Sequence, residues 1–210
     1  MRNALDHLSF IKEVASRSPF GLITDFDGTL SEIAPHPQEA AISPVCRNHL
    51  ASLVQRIALV AVLSGRDAKD VKERVGLDGI TYVGLHGFQR WEKGSVRLWE
   101  GAKGYPDRIN AVLNELATPL SRMPGVNVEN KGPVASIHYR LAPDQEAARR
   151  EILQILKGSP KVKELDVSLR RMVVELKPPL RVDKGSVLRE LVENNGLRGA
   201  ICLGDDVTDL

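Results

Sequence analysis

Two short acidic motifs carry the residues best suited to chemistry. They are residues 25–30 (DFDGTL) and residues 204–209 (GDDVTD). Aspartates brought together repel one another, and their shared charge raises their pKa values unless a cation neutralises it. Mg2+ is the hard, oxygen-seeking cation that suits such a set, and it can bridge a phosphoryl oxygen to a protein. The two motifs therefore predict a Mg2+ site that handles phosphate.

Two alternatives for DFDGTL need to be weighed. A calcium-binding EF-hand loop is excluded, because Gly28 comes too early and His36 stands at the twelfth position, where the pattern requires Glu. A plain turn remains possible for this motif alone. It does not account for the second acidic cluster.

Both motifs follow apolar runs of the kind that form buried strands. There are four such runs, at 20–23, 57–63, 80–85 and 200–203. Helical spacing precedes the first run, at residues 4–16, and helix-start signals follow the first two runs, at Ser43-Pro44 and at Asp67. The repeated pattern predicts an α/β fold with a parallel sheet. Ligands of such sheets bind beyond the carboxyl ends of the strands, which here carry Asp25, Ser64 and Asp205.

The stretch between the third and fourth apolar runs has a different pattern. Residues 89–98 predict a hairpin that turns at Lys93-Gly94. Beyond it, helical spacing at 109–120 and 144–156 is interleaved with alternating, strand-like segments. Alternation is typical of a sheet covered on one side only, so an inserted α+β domain is expected. We predict a discontinuous core of residues 1–98 and 180–210 with an insertion at 99–179.

Composition and charge narrow the possible partners. The chain has 29 Lys and Arg against 27 Asp and Glu, a net charge of +2, which gives no electrostatic case for nucleic acid. No apolar run approaches the roughly 20 residues that span a bilayer, and the N-terminus lacks a secretory signal, so a cytoplasmic protein without a membrane partner is expected. Cys46 and Cys202 are expected to be buried thiols rather than a disulfide.

The order of the motifs resembles that of the haloacid dehalogenase superfamily of phosphohydrolases. The matching elements are DFDGTL, the strand-ending Ser64, Lys184 in residues 183–185 (DKG), and GDDVTD. Shorter strings resemble the trehalose-6-phosphate phosphatase family: SGR at 64–66, GLHG at 84–87, HYR at 138–140, and GDDVTD. The resemblance covers residues 20–209. It implies a Rossmann-like core with an inserted cap domain, and Mg2+-dependent hydrolysis of trehalose 6-phosphate through an aspartyl phosphate.

The resemblance also implies catalytic roles. Asp25 would be the nucleophile, and Asp27 would protonate the leaving sugar oxygen and later deprotonate water. Lys184 would hold the nucleophile and a phosphoryl oxygen together. The implied phosphate-binding set is Ser64, Gly65 and Lys184. The implied metal set is Asp25, Asp27 through its backbone carbonyl, Asp205 and Asp206.

A further set of residues is implied to bind the substrate. These residues are Arg66, His86, Glu129, Lys131, Arg140, Glu175 and Asp209. Glu129 and Lys131 lie two apart on an alternating strand, so they should share a face. Alternatives remain open, because Asp206 and Asp209 could instead cap the following helix, and Ser64 could cap a helix as well as bind phosphate.

The chain departs from the family pattern at two positions. Gln89 stands where the family usually has Glu, and Leu210 stands where Glu often follows GDDVTD. Since the family continues through a further strand and helix, a C-terminally truncated form is expected. Two other functions compete: a phosphatase for a sucrose, mannosyl-glycerate or hexose phosphate, and a non-catalytic domain that binds sugar phosphate and regulates a synthase. A trehalose-phosphate synthase is the possible protein partner.

Overall fold

The chain divides into two units in the computed structural model, which describes residues 4–34 and 37–205. The first unit takes in the chain up to Leu98 and again from Arg181, and the second unit is Trp99–Leu180. Each unit has its own sheet and its own hydrophobic core.

Six strands form the sheet of the first unit. They are β1 (Phe20–Thr24), β2 (Leu59–Leu63), β3 (Thr81–Gly84), β4 (Gln89–Glu92), β5 (Ser95–Leu98) and β10 (Gly199–Leu203). Their order across the sheet is β10-β1-β2-β3-β4-β5, and the first four are parallel, as the sequence predicted. The β4–β5 hairpin adds an antiparallel edge and turns at Lys93-Gly94, whose φ angles of 49° and 81° are those of the favoured hairpin turn.

Helices cover both faces of this sheet. They are α1 (Leu8–Ala15), α2 (Pro44–Val54), α3 (Ala68–Val75) and α6 (Lys184–Asn194). Every residue of β2 is buried, and its side chains alternate between the two faces. Val60 and Val62 pack with residues of α2 and α3, whereas Leu59, Ala61 and Leu63 pack with residues of α6. This two-sided burial explains the unbroken apolar run of β2.

Side-chain caps set where the helices begin. The Ser43 hydroxyl accepts a hydrogen bond from the Cys46 N–H at 3.2 Å, as its place before Pro44 predicted. Asp67 caps α3, one position before the helix rather than in its first turn. Asp183 caps α6 through the Ser186 N–H at 2.7 Å, which makes Lys184 the first residue of that helix.

The second unit is a four-stranded antiparallel sheet with helices on one face. Its elements are α4 (Tyr105–Ser121), β6 (Asn127–Asn130), β7 (Ala135–His138), α5 (Gln145–Gly158), β8 (Asp166–Arg170) and β9 (Val173–Lys177). The strand order is β6-β7-β9-β8. Ile137 and Val174 pack against Ile109 of α4 and Ile152 of α5, and all four are fully buried. The opposite face is polar, as the alternation predicted.

Two details differ from the sequence analysis. Cys202 is exposed because β10 is an edge strand of the sheet, and Cys46 on α2 is only partly buried. The N-terminal segment begins with a 3-10 turn before α1, and Leu8 and Phe10 on α1 are 48% and 62% exposed. No helix of the described residues combines the length and hydropathy needed to cross a bilayer.

Candidate active site

Three strand ends lie side by side in the first unit. Asp25 directly follows β1, and its N–H donates to the Leu203 carbonyl of β10 at 2.8 Å. Ser64 directly follows β2, and its N–H donates to the Val83 carbonyl of β3 at 2.9 Å. Asp205 follows β10. The edge where parallel strands end thus presents polar groups from neighbouring strands, which is where α/β sheets bind ligands.

Asp25 is paired with a buried lysine. Lys184 Nζ lies 3.0 Å from Asp25 Oδ1, and the two side chains are only 12% and 10% exposed. The pair spans two elements, because Asp25 ends β1 and Lys184 opens α6. With so little water around them, their mutual attraction is weakly screened. Lys184 therefore fixes the Asp25 carboxylate and places a positive charge beside it.

Ser64 lies in the turn that follows β2 and is almost fully buried. Its hydroxyl accepts a hydrogen bond from the Arg66 N–H at 3.1 Å. Between them, Gly65 makes room for the His86 ring, since a Cβ at Gly65 would lie 2.8 Å from His86 Nε2. The close approach of ring and backbone explains why glycine stands at position 65.

The His86 ring is presented by a strained turn. Leu85, His86 and Gly87 have φ angles of 49°, 57° and 119°. Positive φ costs a non-glycine residue about 1–2 kcal/mol, so surrounding contacts must hold the turn. They do so through the Leu85 N–H, which donates to the Arg66 carbonyl at 2.8 Å, and the His86 N–H, which donates to the Ser64 carbonyl at 3.0 Å.

Asp27 is held by a two-pronged contact from Arg66. Arg66 Nε donates to one carboxylate oxygen at 2.8 Å, and Nη2 donates to the other at 2.7 Å. Arg66 is 16% exposed and Asp27 is 42% exposed. Burial acts to lower the pKa of Arg66, but hydrogen bonds and attraction from Asp27 and Asp70 outweigh it and raise that pKa. The guanidinium is therefore a permanent charge that orients Asp27.

Two residues that the sequence analysis missed extend this contact. Asp70 Oδ2 lies 3.3 Å from Arg66 Nη1 and 2.9 Å from Arg74 Nε. Arg74 also donates to the carbonyls of Gln38 and Ala40 at 3.1 and 2.5 Å. The available signal was the i, i+4 spacing of Arg66, Asp70 and Arg74. The orientation of Asp27 is thus supported from α3.

Gly28 and Asp205 approach each other closely. Gly28 has φ 79°, and a Cβ there would clash with the Asp205 carboxylate. The glycine therefore lets the carboxylate that follows β10 lie against the DFDGTL loop. This contact brings together parts of the two acidic motifs.

The predicted metal ligands are only partly described by the structure. Asp206 and Asp209 lie outside the described residues. Within the described ranges, no group of three or more His, Cys, Asp or Glu residues has the arrangement of a metal site. The donors that fit Mg2+ are Asp25 and Asp205, both hard oxygen ligands at neighbouring strand ends, together with the backbone carbonyl of Asp27.

Gln89, where the family usually has Glu, has a structural contact. It is 5% exposed, and its Oε1 accepts a hydrogen bond from the Ala68 N–H at the start of α3, at 3.1 Å. The side chain thereby satisfies one of the free N–H groups of that helix end.

The polar face of the second unit carries most of the predicted sugar-binding residues. Glu129 on β6 lies 3.2 Å from both Lys131 Nζ and His138 Nε2. The hydrogen bond from His138 and the nearby Lys131 charge lower the pKa of Glu129 to about 2, against the effect of burial. In the strand register, Glu129 faces Ser136, which in turn faces Glu175.

Of the remaining residues of this face, Glu175 is mostly buried and Arg140 is exposed. Glu175 Oε2 lies 3.4 Å from Arg170 Nε. Arg140 is exposed beyond β7, and its carbonyl accepts a hydrogen bond from the Gln145 side chain at 2.8 Å. The predicted set thus forms one group around Glu129 and a second around Glu175, with Arg140 at the end of the neighbouring strand.

The fold of the chain is similar to that of solved haloacid dehalogenase-like hydrolases. A haloacid dehalogenase-like hydrolase from Bacteroides thetaiotaomicron covers 90% of this chain and 83% of its own, with a TM-score of 0.65 and 16% identity. The C-terminal domain of a trehalose-6-phosphate phosphatase from C. albicans covers 97% of this chain and 76% of its own, with a TM-score of 0.77 and 22% identity.

Sequence comparison gives the family. The trehalose-phosphatase family model matches residues 23–210, and the chain belongs to that family. A trehalose-phosphate phosphatase from Mycobacterium tuberculosis strain H37Ra is 35% identical over an alignment that covers 99% of this chain and 54% of the relative. The chain therefore spans about half the length of the curated relatives it matches.

Proposed function

We propose that this chain is the phosphatase part of a Mg2+-dependent trehalose-6-phosphate phosphatase, which releases trehalose and inorganic phosphate. The observation that carries the proposal is the buried Asp25–Lys184 pair at the end of β1, next to Ser64 at the end of β2. A carboxylate fixed beside a lysine and a hydroxyl donor suits attack on a phosphoryl group. Family membership supports the same reaction.

In the first step, an Asp25 oxygen attacks phosphorus. A bond forms between that oxygen and phosphorus, and the bond from phosphorus to the sugar oxygen breaks. Asp27, protonated at the start of this step, gives its proton to the departing oxygen, and Arg66 then holds the carboxylate that remains through both of its oxygens. Lys184 and the Ser64 hydroxyl offset the charge on the phosphoryl oxygens.

In the second step, water attacks the aspartyl phosphate. Asp27 takes a proton from the water while the water oxygen forms a bond to phosphorus. The bond between phosphorus and the Asp25 oxygen breaks, and its electron pair returns to the Asp25 carboxylate. Inorganic phosphate leaves, and both aspartates regain their starting forms. Splitting hydrolysis in this way replaces one difficult step with two easier ones.

Mg2+ is the proposed cofactor. Asp25, Asp205 and the Asp27 carbonyl would hold it, with Asp206 as a further proposed ligand. When bound, the ion supplies positive charge that offsets the phosphate dianion. Its ligands belong to two motifs that the Gly28–Asp205 contact brings together.

The sugar-binding assignment rests on the polar face of the second unit. Glu129 and Glu175 present carboxylate oxygens, which accept hydrogen bonds from hydroxyl groups. Lys131 and Arg140 supply donors on the same unit. From the first unit, His86 is proposed to contact the substrate beside Gly65, and Asp209 completes the proposed set.

The test is phosphate release by the purified chain with and without Mg2+. Asp25→Asn is expected to abolish release from trehalose 6-phosphate, while Lys69→Ala, on the exposed side of α3, should behave as the parent chain. Normal turnover by Asp25→Asn would overturn the mechanism.

A panel of sucrose, mannosyl-glycerate and hexose phosphates tests the substrate. Faster phosphate release from one of these esters would identify that ester, rather than trehalose 6-phosphate, as the substrate. If the chain binds trehalose 6-phosphate tightly but releases phosphate from none of these esters, the result would favour a non-catalytic domain that binds sugar phosphate and regulates a synthase. The enzyme that supplies this substrate must be a synthase that joins a sugar to a sugar phosphate, and it is the proposed partner in the cytoplasm.

A further inference from the structure

Strand β8 is an open edge of the sheet in the second unit. It is the last strand in the order β6-β7-β9-β8. Its apolar residues Val167 and Leu169 are 41% and 45% exposed. An edge strand with exposed apolar side chains is suited to pairing with another strand.

The backbone of β8 has hydrogen-bonding groups that face outward. Arg170 and Val173 flank a two-residue turn, so they form the hydrogen-bonded pair next to it. Bonding alternates along an antiparallel ladder, so Ser168 also bonds to β9, whereas Val167 and Leu169 direct their N–H and C=O groups away from it. Those outward groups make no backbone hydrogen bond to any described residue. Four groups are therefore available to an incoming strand.

We propose that β8 pairs with β8 of a second copy of this chain, antiparallel, with a twofold axis at Ser168. In this register Val167 lies opposite Leu169 of the second copy. The two residues exchange hydrogen bonds through their outward groups, and symmetry repeats the exchange. Two four-stranded sheets then become one sheet of eight strands.

The charges of β8 are complementary to themselves in this register. Asp166 lies opposite Arg170 of the second copy, and the contact occurs twice. Asp166 has no ion pair with any described residue, and Arg170 uses only Nε toward Glu175, at 3.4 Å. The guanidinium therefore keeps donors for a second carboxylate. Opposite charges directly across an antiparallel pair stabilise it.

Ser168 is a second observation that fits the axis. Its hydroxyl is buried and has no hydrogen-bond partner among the described residues. With Ser168 on the twofold axis, the two serine side chains lie opposite each other on adjacent strands, where a change of rotamer lets the two hydroxyls hydrogen-bond. Each hydroxyl then gains the partner that it lacks in the single chain.

The apolar side of the edge also fits a second copy. A groove of about 350 Å³ is lined by Val167 together with Leu153, Leu156, Lys157, Val162, Lys163 and Leu165. Leu169 of the second copy, opposite Val167, would lie beside this groove. The contact area of one strand pair is small, so the dimer should be weak and dependent on concentration.

Sedimentation velocity across a concentration series tests the proposal. The parent chain should shift from 23.1 kDa toward twice that mass as concentration rises. Asp166→Lys and Arg170→Glu should each remain monomeric, because each variant places like charges across the axis. Mixing the two variants should restore the dimer, since the introduced lysine then faces the introduced glutamate.

The controls separate pairing from folding. Glu151→Lys changes an exposed charge on α5 and should dimerise like the parent chain. Thermal unfolding checks each variant, and Leu169→Lys, which places a charge in the apolar contact, replaces any charge variant that fails to fold. A parent chain that stays monomeric at every concentration would overturn the proposal. So would single variants that dimerise normally, or a mixture that does not form a heterodimer.

Discussion

The two-pronged contact between Arg66 and Asp27 gives the sharpest prediction. Arg66→Lys keeps the positive charge but replaces a planar fork with a single point of contact. One of the two charge-assisted hydrogen bonds at 2.8 and 2.7 Å is lost, and Asp27 is no longer fixed in one orientation. Such a bond contributes about 1.5–3 kcal/mol, which corresponds to roughly 10- to 150-fold in rate if it acts in the transition state.

Three substrates distinguish positioning of Asp27 from contact with the sugar. If Arg66 orients the proton donor, Arg66→Lys should lower kcat/KM for trehalose 6-phosphate and for a simple alkyl phosphate by the same factor. Both have poor leaving groups that need a proton. For p-nitrophenyl phosphate, whose leaving group departs without one, kcat/KM should stay within about twofold, because this parameter compares free reactants with the transition state.

The outcome that refutes this reasoning is a loss confined to the sugar phosphate. In that case Arg66 contacts the sugar, as the sequence analysis predicted, and the contact with Asp27 does not limit catalysis. Asp27→Asn supplies the reference pattern, because it removes the proton donor itself. Lys69→Ala, an exposed change on α3, the helix that begins two residues after Arg66, should leave all three substrates unaffected.

Two further predictions concern the glycine at the acidic loop and the carboxylate of the second unit. Gly28→Ala should lower kcat by roughly 100-fold by displacing the Asp205 carboxylate, whereas Gly94→Ala, with a similar φ of 81° and open space around it, should reduce only the melting temperature. The pKa of Glu129 is lowered from 4.5 to about 2, chiefly by the His138 hydrogen bond, so its stabilising contribution is present above pH 4.5 and is lost as pH falls toward 2. Since the side chain is about half exposed, Glu129→Gln should cost about 1 kcal/mol of unfolding free energy at pH 6 and little at pH 2, as urea titrations at the two pH values would measure.

The strand ends were predictable because burial leaves a strong signature in sequence. An unbroken apolar run such as that of β2 is expected where helices cover both faces of a strand, and it stops where the chain reaches the edge of the sheet. Asp25 and Ser64 could therefore be placed at one edge from their positions after two such runs. Lys184 could be placed there only by motif order, because one lysine at a helix start carries no signal of its own.

The partners of the side chains could not be predicted in the same way. Arg66 follows Ser64-Gly65 in sequence, so motif matching assigns it to the substrate. The direction of its side chain, however, depends on the backbone hydrogen bonds to the turn at Leu85 and His86 and on the contact with Asp70, four residues further on. Those contacts join segments far apart in the chain, and no periodicity encodes them. The strand pattern therefore predicts which residues can take part in catalysis, whereas the orientation of Asp27 depends on packing. The three-substrate comparison measures how much that orientation contributes to catalysis.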